Sequence, residues 1–470
     1  MSDSPGLRLR FHGAVDTVTG SRFLLRAGDR RVLIDCGLFQ GFKHLRLRNW
    51  AEPGFDPGAL SGVLLTHAHL DHSGFLPVLC RDGYTGPIHA TRATRELCRY
   101  LLPDSGFIQE KDAARANRYG YTRHHPARPL YTQADANRCL EQFQSCPFGQ
   151  PLALAEGITA TFSRAGHILG AASILVQCQS SRVLFSGDLG QSDSATMAPP
   201  QAPPEADYVV IESTYGDRRR SREDPEERLA RIIRETLSRG GTVIVPAFAV
   251  GRTQLLLHHL RRLQHARRIP RVPVFLDSPL AINATEVFAN HPEDHHLSPA
   301  EAEAACALPR YVHDAEASRR LDHDPMPKII IAGSGMATGG RILHHLKVYL
   351  GDQRHTVLFS GYQAAGTRGD KLVRGAESIR IHGADWPVRA SVENLDSLSA
   401  HADSNELLAW LSSLPKAPRK VFVVHGEPTA SDTLAERIQS ELHWPACVPQ
   451  PDQPYRLIEP SAREQRRNKK

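Results

Sequence analysis

The segment His67-Ala-His69-Leu-Asp71-His72 constrains this chain more than any other feature. It gathers three imidazoles and a carboxylate directly after the apolar run Gly62-Val-Leu-Leu-Thr66. Nitrogen and oxygen donors at that density suit a borderline-soft divalent ion such as zinc. A loop at a strand end can aim His67 and His69 at one ion while Asp71 and His72 turn toward a neighbour. The bland reading, a polar loop that is merely histidine-rich, gives no reason for so many donors at one turn. Ser73-Gly74 then offers a tight helix start. The fold must bring a strand end to a metal site, which favours a sheet scaffold with function in its loops.

Two neighbouring ions need more ligands than this segment supplies. Arg164-Ala-Gly-His167-Ile-Leu-Gly170 sets a histidine between glycines, and Val183-Leu-Phe-Ser-Gly-Asp188 ends an apolar run on a carboxylate. Val421-Phe-Val-Val-His425-Gly-Glu427 ends another on a histidine. Taken singly, each is more often a hydrogen-bonded turn or core residue. Beside the first cluster they extend one donor set, in which the two oxygens of Asp188 could bridge a pair of ions. Arg31-Val-Leu-Ile-Asp35 has the same form. Asp35 reads equally well as hydrogen-bonded support behind the metal loop or as a strand-end turn residue.

Beyond the Pro-rich connector at 198–204 the rhythm changes to alternating strand and helix. Strands are predicted at 207–211, 242–245, 272–276, 328–332 and 356–359. Helices are predicted from Pro225, over 251–266 and over 341–350. Asp224 would cap the first of these, with Glu226 and Glu227 set against its dipole and Gly240-Gly241 ending it. That order predicts a parallel sheet covered by helices.

At 470 residues the chain is long enough for two to four domains. Its 41% hydrophobic and 23% charged residues indicate neither a disordered nor a membrane class. No apolar run approaches the roughly 18 residues of a spanning helix, and the first residues carry no leader-like run, so a cytoplasmic protein is expected. Eight scattered cysteines without a Cys-x-x-Cys pair point to free thiols and argue against a thiolate zinc site. The net charge is only +6. Arginine clusters at 218–222 and 261–268, and the basic run from Arg463 to Lys470, are usually solvated faces and weakly indicate nucleic acid.

H-A-H-L-D-H, then A-G-H, S-G-D and V-V-H-G-E in that order resemble the metallo-β-lactamase superfamily. Ile211-Glu-Ser-Thr-Tyr-Gly-Asp217, Pro246-Ala-Phe-Ala-Val-Gly-Arg-Thr253, Gly333-Ser-Gly-Met-Ala-Thr-Gly-Gly340 and Leu398-Ser-Ala-His401-Ala-Asp403 are similar to its β-CASP group of nucleases. That group includes the cleavage subunit of pre-mRNA 3′-end processing and its prokaryotic relatives, and the likeness spans nearly the whole chain. It implies an αββα sandwich interrupted by an inserted α/β β-CASP domain with a mainly parallel sheet. Residues 1–205 would form the first part of the sandwich, 206–385 the insertion, 386–460 the completing segment and 461–470 a basic tail.

The resemblance also implies roles. His67, His69 and His167 would hold one zinc, Asp71, His72 and His425 the other, and Asp188 would bridge them. His401 would stand over the metals as general acid, oriented by Glu212, which by itself reads also as a strand-end ion pair to nearby arginines. Asp71 and Asp188 would thereby serve catalysis as well as binding. Arg252 and Thr253 at one helix start, and Ser334, Gly335 and Met336 in the loop opening another, would contact phosphate, although each loop alone is more often just a turn. The histidine at 425 goes with RNA rather than DNA processing. The expected function is a zinc-dependent ribonuclease, endonucleolytic because no pocket for a 5′-monophosphate is marked, in which a metal-bridged hydroxide attacks the phosphodiester. Single-stranded RNA is the expected partner, no membrane is involved, and a homodimer is left open. The competing readings are a small-molecule ester or thioester hydrolase and a non-catalytic RNA-processing scaffold. A whole inserted domain argues against the first, and an intact ligand set argues against the second.

Overall fold

The computed structural model describes residues 7–457 apart from 121–123, 179–180 and 222. The expected basic tail and Arg222 of the first arginine cluster lie outside the described residues. The chain divides into two compact units. Among the described residues, the first takes those of 7–192, 199–219 and 401–457, and the second those of 193–198 and 220–400.

The first unit is built on two seven-stranded sheets. One runs in the order Pro454–Leu457, Leu7–Phe11, Phe23–Ala27, Arg30–Ile34, Gly62–Leu64, Ile88–Thr91, Phe143–Cys146. The other runs Ala446–Cys447, Lys420–Val424, Tyr208–Glu212, Ser181–Phe185, Ala172–Cys178, Ile158–Arg164, Leu152–Ala155. Alternation along strands such as Leu7–Phe11 and Ile158–Arg164 turns every second residue inward. Leu9, Phe11, Val32 and Ile34 from one sheet meet Phe162, Ile174, Phe185 and Val210 from the other in a single buried cluster. In each sheet four strands run parallel: Arg30–Ile34, Gly62–Leu64, Ile88–Thr91 and Phe143–Cys146 in the first, and Ser181–Phe185, Tyr208–Glu212, Lys420–Val424 and Ala446–Cys447 in the second. Asp35, Thr66, Asp188, Glu212 and His425 all sit at or just past the C-terminal ends of these parallel strands, so the ladders deliver them to one edge of the sandwich.

The second unit carries an all-parallel six-stranded sheet, ordered Arg310–Tyr311, Val274–Asp277, Ile329–Ala332, Val243–Pro246, Thr356–Phe359, Ser391–Asn394. Its central strands are fully buried and read as continuous apolar runs, as a sheet covered on both faces requires. The helix Pro225–Ser238 starts where the capping pattern predicts, with the Asp224 side chain accepting from the Glu226 amide. Arg252–His265 and Ile342–Tyr349 match the other predicted helices within a residue or two.

Three features depart from the sequence reading. Tyr208–Glu212, which opens the β-α rhythm, pairs on both sides within the first unit. Ser391–Asn394 adds to the edge of the second unit's sheet through Thr356–Phe359. The 28-residue helix Arg92–Tyr119 has no counterpart in the sequence reading, and Pro103 and Gly106 fall inside it. Gly106 is needed there: a Cβ would lie 2.8 Å from the backbone of Thr132 and Gln133. No helix among the described residues is long and apolar enough to cross a membrane.

Candidate metal centre

The loop after Gly62–Leu64 is shaped by its backbone contacts. Ser73 Oγ donates to the carbonyls of Ala68 and His69 at 2.9 and 3.0 Å and closes a helical turn over Leu70–Ser73. The helical turn therefore begins before Ser73-Gly74, and Asp71 and His72 lie within it. The neighbouring strand end is laced to this turn: Cys36 N donates to His72 O at 2.7 Å and Ser21 N to Asp71 O at 2.9 Å. A Cβ on Gly37 would lie 1.5 Å from Asp71 O, and one on Gly190 would lie 1.9 Å from Gly166 O beside His167. Only glycine lets these segments approach so closely.

The sequence-predicted ligands converge. His69 Nδ1 lies 3.2 Å from both His67 Nε2 and His167 Nε2. His72 Nε2 lies 3.1 Å from His425 Nε2, which is 3.5 Å from Asp71 Oδ2. Asp188 faces both sets. Its Oδ2 is 3.5 Å from His67 Nε2 and 3.6 Å from His167 Nε2, and its Oδ1 is 3.3 Å from His72 Nε2. Tetrahedral zinc, with bonds of about 2.0–2.1 Å to nitrogen, spaces its ligands about 3.3 Å apart. Ring nitrogens that crowd together at this spacing, with buried carboxylate oxygens among them, fit a divalent cation. A donor set of this kind fits poorly to a site built on hydrogen bonds alone.

Behind the ligands stands a second layer of contacts. Asp35, at φ 58°, accepts from Thr66 N at 2.8 Å and Thr66 Oγ1 at 2.9 Å, and its Oδ2 lies 2.8 Å from His72 Nδ1. Thr66 Oγ1 is 3.1 Å from His67 Nδ1, and Thr214 Oγ1 is 3.1 Å from His425 Nδ1. Sequence reasoning missed both threonines. Glu212 is buried and accepts from Leu189 N at 2.7 Å and Thr214 N at 3.2 Å. Each of its oxygens lies 3.2 Å from His401 Nδ1. The His401 ring is 4.4 Å from that of His167 by centroids, beside the candidate ligands. Tyr215 is buried and meets His401 edge-on.

Burial lowers the pKa of His67 well below the ordinary histidine value and that of His69 to about 4, so both keep a ring lone pair at neutral pH. Burial opposes the charge on Asp188, but His425, His72 and His67 outweigh it and hold the carboxyl well below its usual range. Burial likewise opposes a charged His72, and the carboxylates of Asp188 and Asp35 overcome it to raise that imidazole.

The candidate phosphate contacts lie in the second unit, where neighbouring parallel strands end. Arg252 is buried at the first position of its helix, and its guanidinium rests against Gly361, where a Cβ would be 3.1 Å from Nη2. Thr253 Oγ1 donates to Phe248 O at 2.8 Å. Ser334 Oγ accepts from Thr338 N at 2.9 Å and Gly339 N at 3.3 Å. The side chains of Thr253 and Ser334 thus brace their own loops. Gln363 Nε2 donates to Gly335 O at 3.2 Å, and Gly369 N to Met336 O at 3.0 Å.

Three family profiles match the chain in order. They are the metallo-beta-lactamase superfamily over residues 16–137, the Beta-Casp domain over 253–372, and the Zn-dependent metallo-hydrolase RNA specificity domain over 385–449. The chain is 40% identical over 430 residues to Ribonuclease TTHA0252 of Thermus thermophilus, a span of 90% of this chain and 93% of that protein. It is 30% identical over 463 residues to Transcription termination factor FttA of Methanocaldococcus jannaschii, covering 94% and 70% of the two chains. An RNase J-like protein of the same organism is 30% identical over 446 residues, covering 94% and 97%. Among solved structures, a protein of unknown function from Enterococcus faecalis V583 superposes with a TM-score of 0.52 at 13% identity, over 96% of this chain and 100% of that one, a likeness of fold alone.

Proposed function

Because this chain belongs to the metallo-β-lactamase superfamily, and within it to the β-CASP nucleases, we propose that it is a metal-dependent ribonuclease carrying two zinc ions at the His/Asp centre. The observation that carries this reading is the division of the donors. His67, His69 and His167 form one set and Asp71, His72 and His425 another, with one oxygen of Asp188 turned to each. Zinc held there would supply the positive charge that neutralises a phosphodiester and makes water acidic enough to attack it. The chain's own residues do the rest. Asp188 ties the two donor sets together, and Asp71 carries its negative charge into the second. Asp35 holds the His72 ring by its Nδ1. His401, anchored at Nδ1 by the Glu212 carboxylate, would give its Nε2 proton to the leaving oxygen and become neutral as that O–H bond forms. Arg252 and the backbone of Gly335 and Met336 are the proposed phosphate contacts, with Thr253 and Ser334 shaping the turns that present them.

RNA as the substrate is supported by the ribonuclease relative and by the RNA specificity profile over the segment containing His425. A single strand and cleavage within the chain are the finer parts of the proposal. The test is cleavage of a labelled single-stranded RNA and a matched DNA by zinc-loaded wild type and Asp188→Ala. RNA cut by wild type alone, into a ladder of internal products, is the expected result. Intact RNA with about two zinc ions bound per chain would move the assignment to a small-molecule hydrolase.

A further inference from the structure

We infer that the hydroxyls of Thr66 and Thr214 are positioning groups that set which ring nitrogen His67 and His425 present to the metals. This rests on the two-metal reading above. A threonine hydroxyl has one hydrogen to give and two lone pairs to accept with. Thr214 Oγ1 donates to the carbonyl of His425 at 3.3 Å and lies 3.1 Å from Nδ1 of the same residue. With its hydrogen committed, the oxygen can only accept from that nitrogen. Nδ1 must then carry the imidazole proton, and the lone pair falls on Nε2. That is the atom 3.1 Å from His72 Nε2 and 3.5 Å from Asp71 Oδ2. The other acceptor near Nδ1, Asp188 Oδ1, is 3.6 Å away and beyond hydrogen-bond reach.

Thr66 repeats the device on the opposite set. Its hydroxyl donates to Asp35 Oδ2 at 2.9 Å. It therefore accepts from His67 Nδ1 at 3.1 Å, which leaves the His67 lone pair on Nε2, beside His69 Nδ1 at 3.2 Å. Both threonines are buried, so water does not compete for either bond. The opposite tautomer would point an N–H at the ion and leave a hydroxyl oxygen facing a bare ring nitrogen. Ordering the productive tautomer before the ion arrives removes that cost from binding. Partners of metal-bound histidines typically set about 10- to 100-fold in affinity.

The test is zinc titration into chelator-stripped full-length protein, in competition with a chromophoric chelator, which reads the number and affinity of the bound equivalents. Wild type is expected to take up two. Fewer would defeat the two-metal reading itself, whatever the threonines do. Thr214→Val keeps the shape and removes the hydroxyl, and is expected to weaken one equivalent about 10- to 100-fold while sparing the other. Thr66→Val is expected to act likewise, and the two serine variants to restore wild-type affinity. Wild-type affinities in the valine variants would overturn the inference. So would serine variants as weak as the valine ones, since the methyl group would then be what matters. Histidine side-chain 15N shifts of stripped wild-type protein need no variant at all. His67 and His425 are expected as Nδ1–H tautomers, and the reverse assignment for either would also overturn it.

Discussion

Replacing Glu212 by glutamine isolates the contact on which the proposed proton transfer depends. The carboxylate accepts from Leu189 N at 2.7 Å and Thr214 N at 3.2 Å, and its two oxygens share His401 Nδ1 at 3.2 Å. A carboxamide keeps one acceptor oxygen of the two. If the shorter bond to Leu189 retains it, the new NH2 faces the Thr214 amide donor against donor, and His401 Nδ1–H keeps only a neutral amide oxygen, shared with Leu189 N, in place of a charged carboxylate. A hydrogen bond to a charged group contributes about 1.5–3 kcal/mol. At about 1.36 kcal/mol per decade, kcat on RNA should fall about 10- to 150-fold. His401→Ala removes the proton carrier itself and should cost about 10²- to 10⁴-fold. Since Glu212 is read as acting only through His401, the double variant should be no slower than His401→Ala alone. The assay is steady-state cleavage of labelled RNA, with zinc content measured on the same samples and expected to be unchanged in all three. Additive losses in the double variant would refute the pairing. Loss of zinc in Glu212→Gln would refute it differently, by making Glu212 a ligand or a support of His425 through Thr214. Glu212 does lie within 4.8 Å of Asp188 and His425 by ligand atoms, so that result would be informative.

Asp35→Asn keeps a residue that tolerates the positive φ of this position, so it probes the carboxylate rather than the turn. Zinc affinity should fall about 10- to 100-fold in the same chelator competition, and unchanged affinity would reduce Asp35 to a turn residue. In the second unit both ring nitrogens of buried His345 face carboxylates, Asp277 at 2.8 Å and Asp322 at 2.7 Å, and despite its burial these hydrogen bonds and charges raise its pKa to about 9. A raised folded pKa stabilises fully below the unfolded value of 6.5 and is lost as pH rises through 9. The unfolding free energy of wild type relative to His345→Gln should therefore shrink by about 3 kcal/mol over that window, read from urea transitions. A difference independent of pH would show that His345 is not held charged.

The proposed ligands could be read from the sequence because they are gathered at or shortly after strand ends. An apolar run closed by a donor announces both its element and its place at a sheet edge, and the parallel ladders then bring Asp35, Asp188 and His425 to one edge. The second unit was legible for a related reason. Its central strands are buried on both faces, and its helices carry their caps and breakers in the chain, so Thr356–Phe359 falls where the apolar run predicts. What was not legible is what depends on distant partners. Tyr208–Glu212 belongs to the first unit because of a ladder to Lys420–Val424, some two hundred residues on, and no periodicity encodes that pairing. Thr66 and Thr214 look like ordinary β-formers until His67, Asp35 and His425 surround their hydroxyls. The glycine-rich loop at 333–340 suggests open amides, yet Ser334 Oγ takes up those of Thr338 and Gly339, a local competition that composition does not reveal. Asp35 is the most instructive position, because its two sequence readings, turn residue and metal-loop support, do not exclude each other. Its positive φ ends the strand and turns the carboxylate back toward the metal loop, where it meets both Thr66 and His72. A residue that could adopt the turn without a carboxylate, such as glycine, would preserve the fold of the strand end and lose the hold on His72.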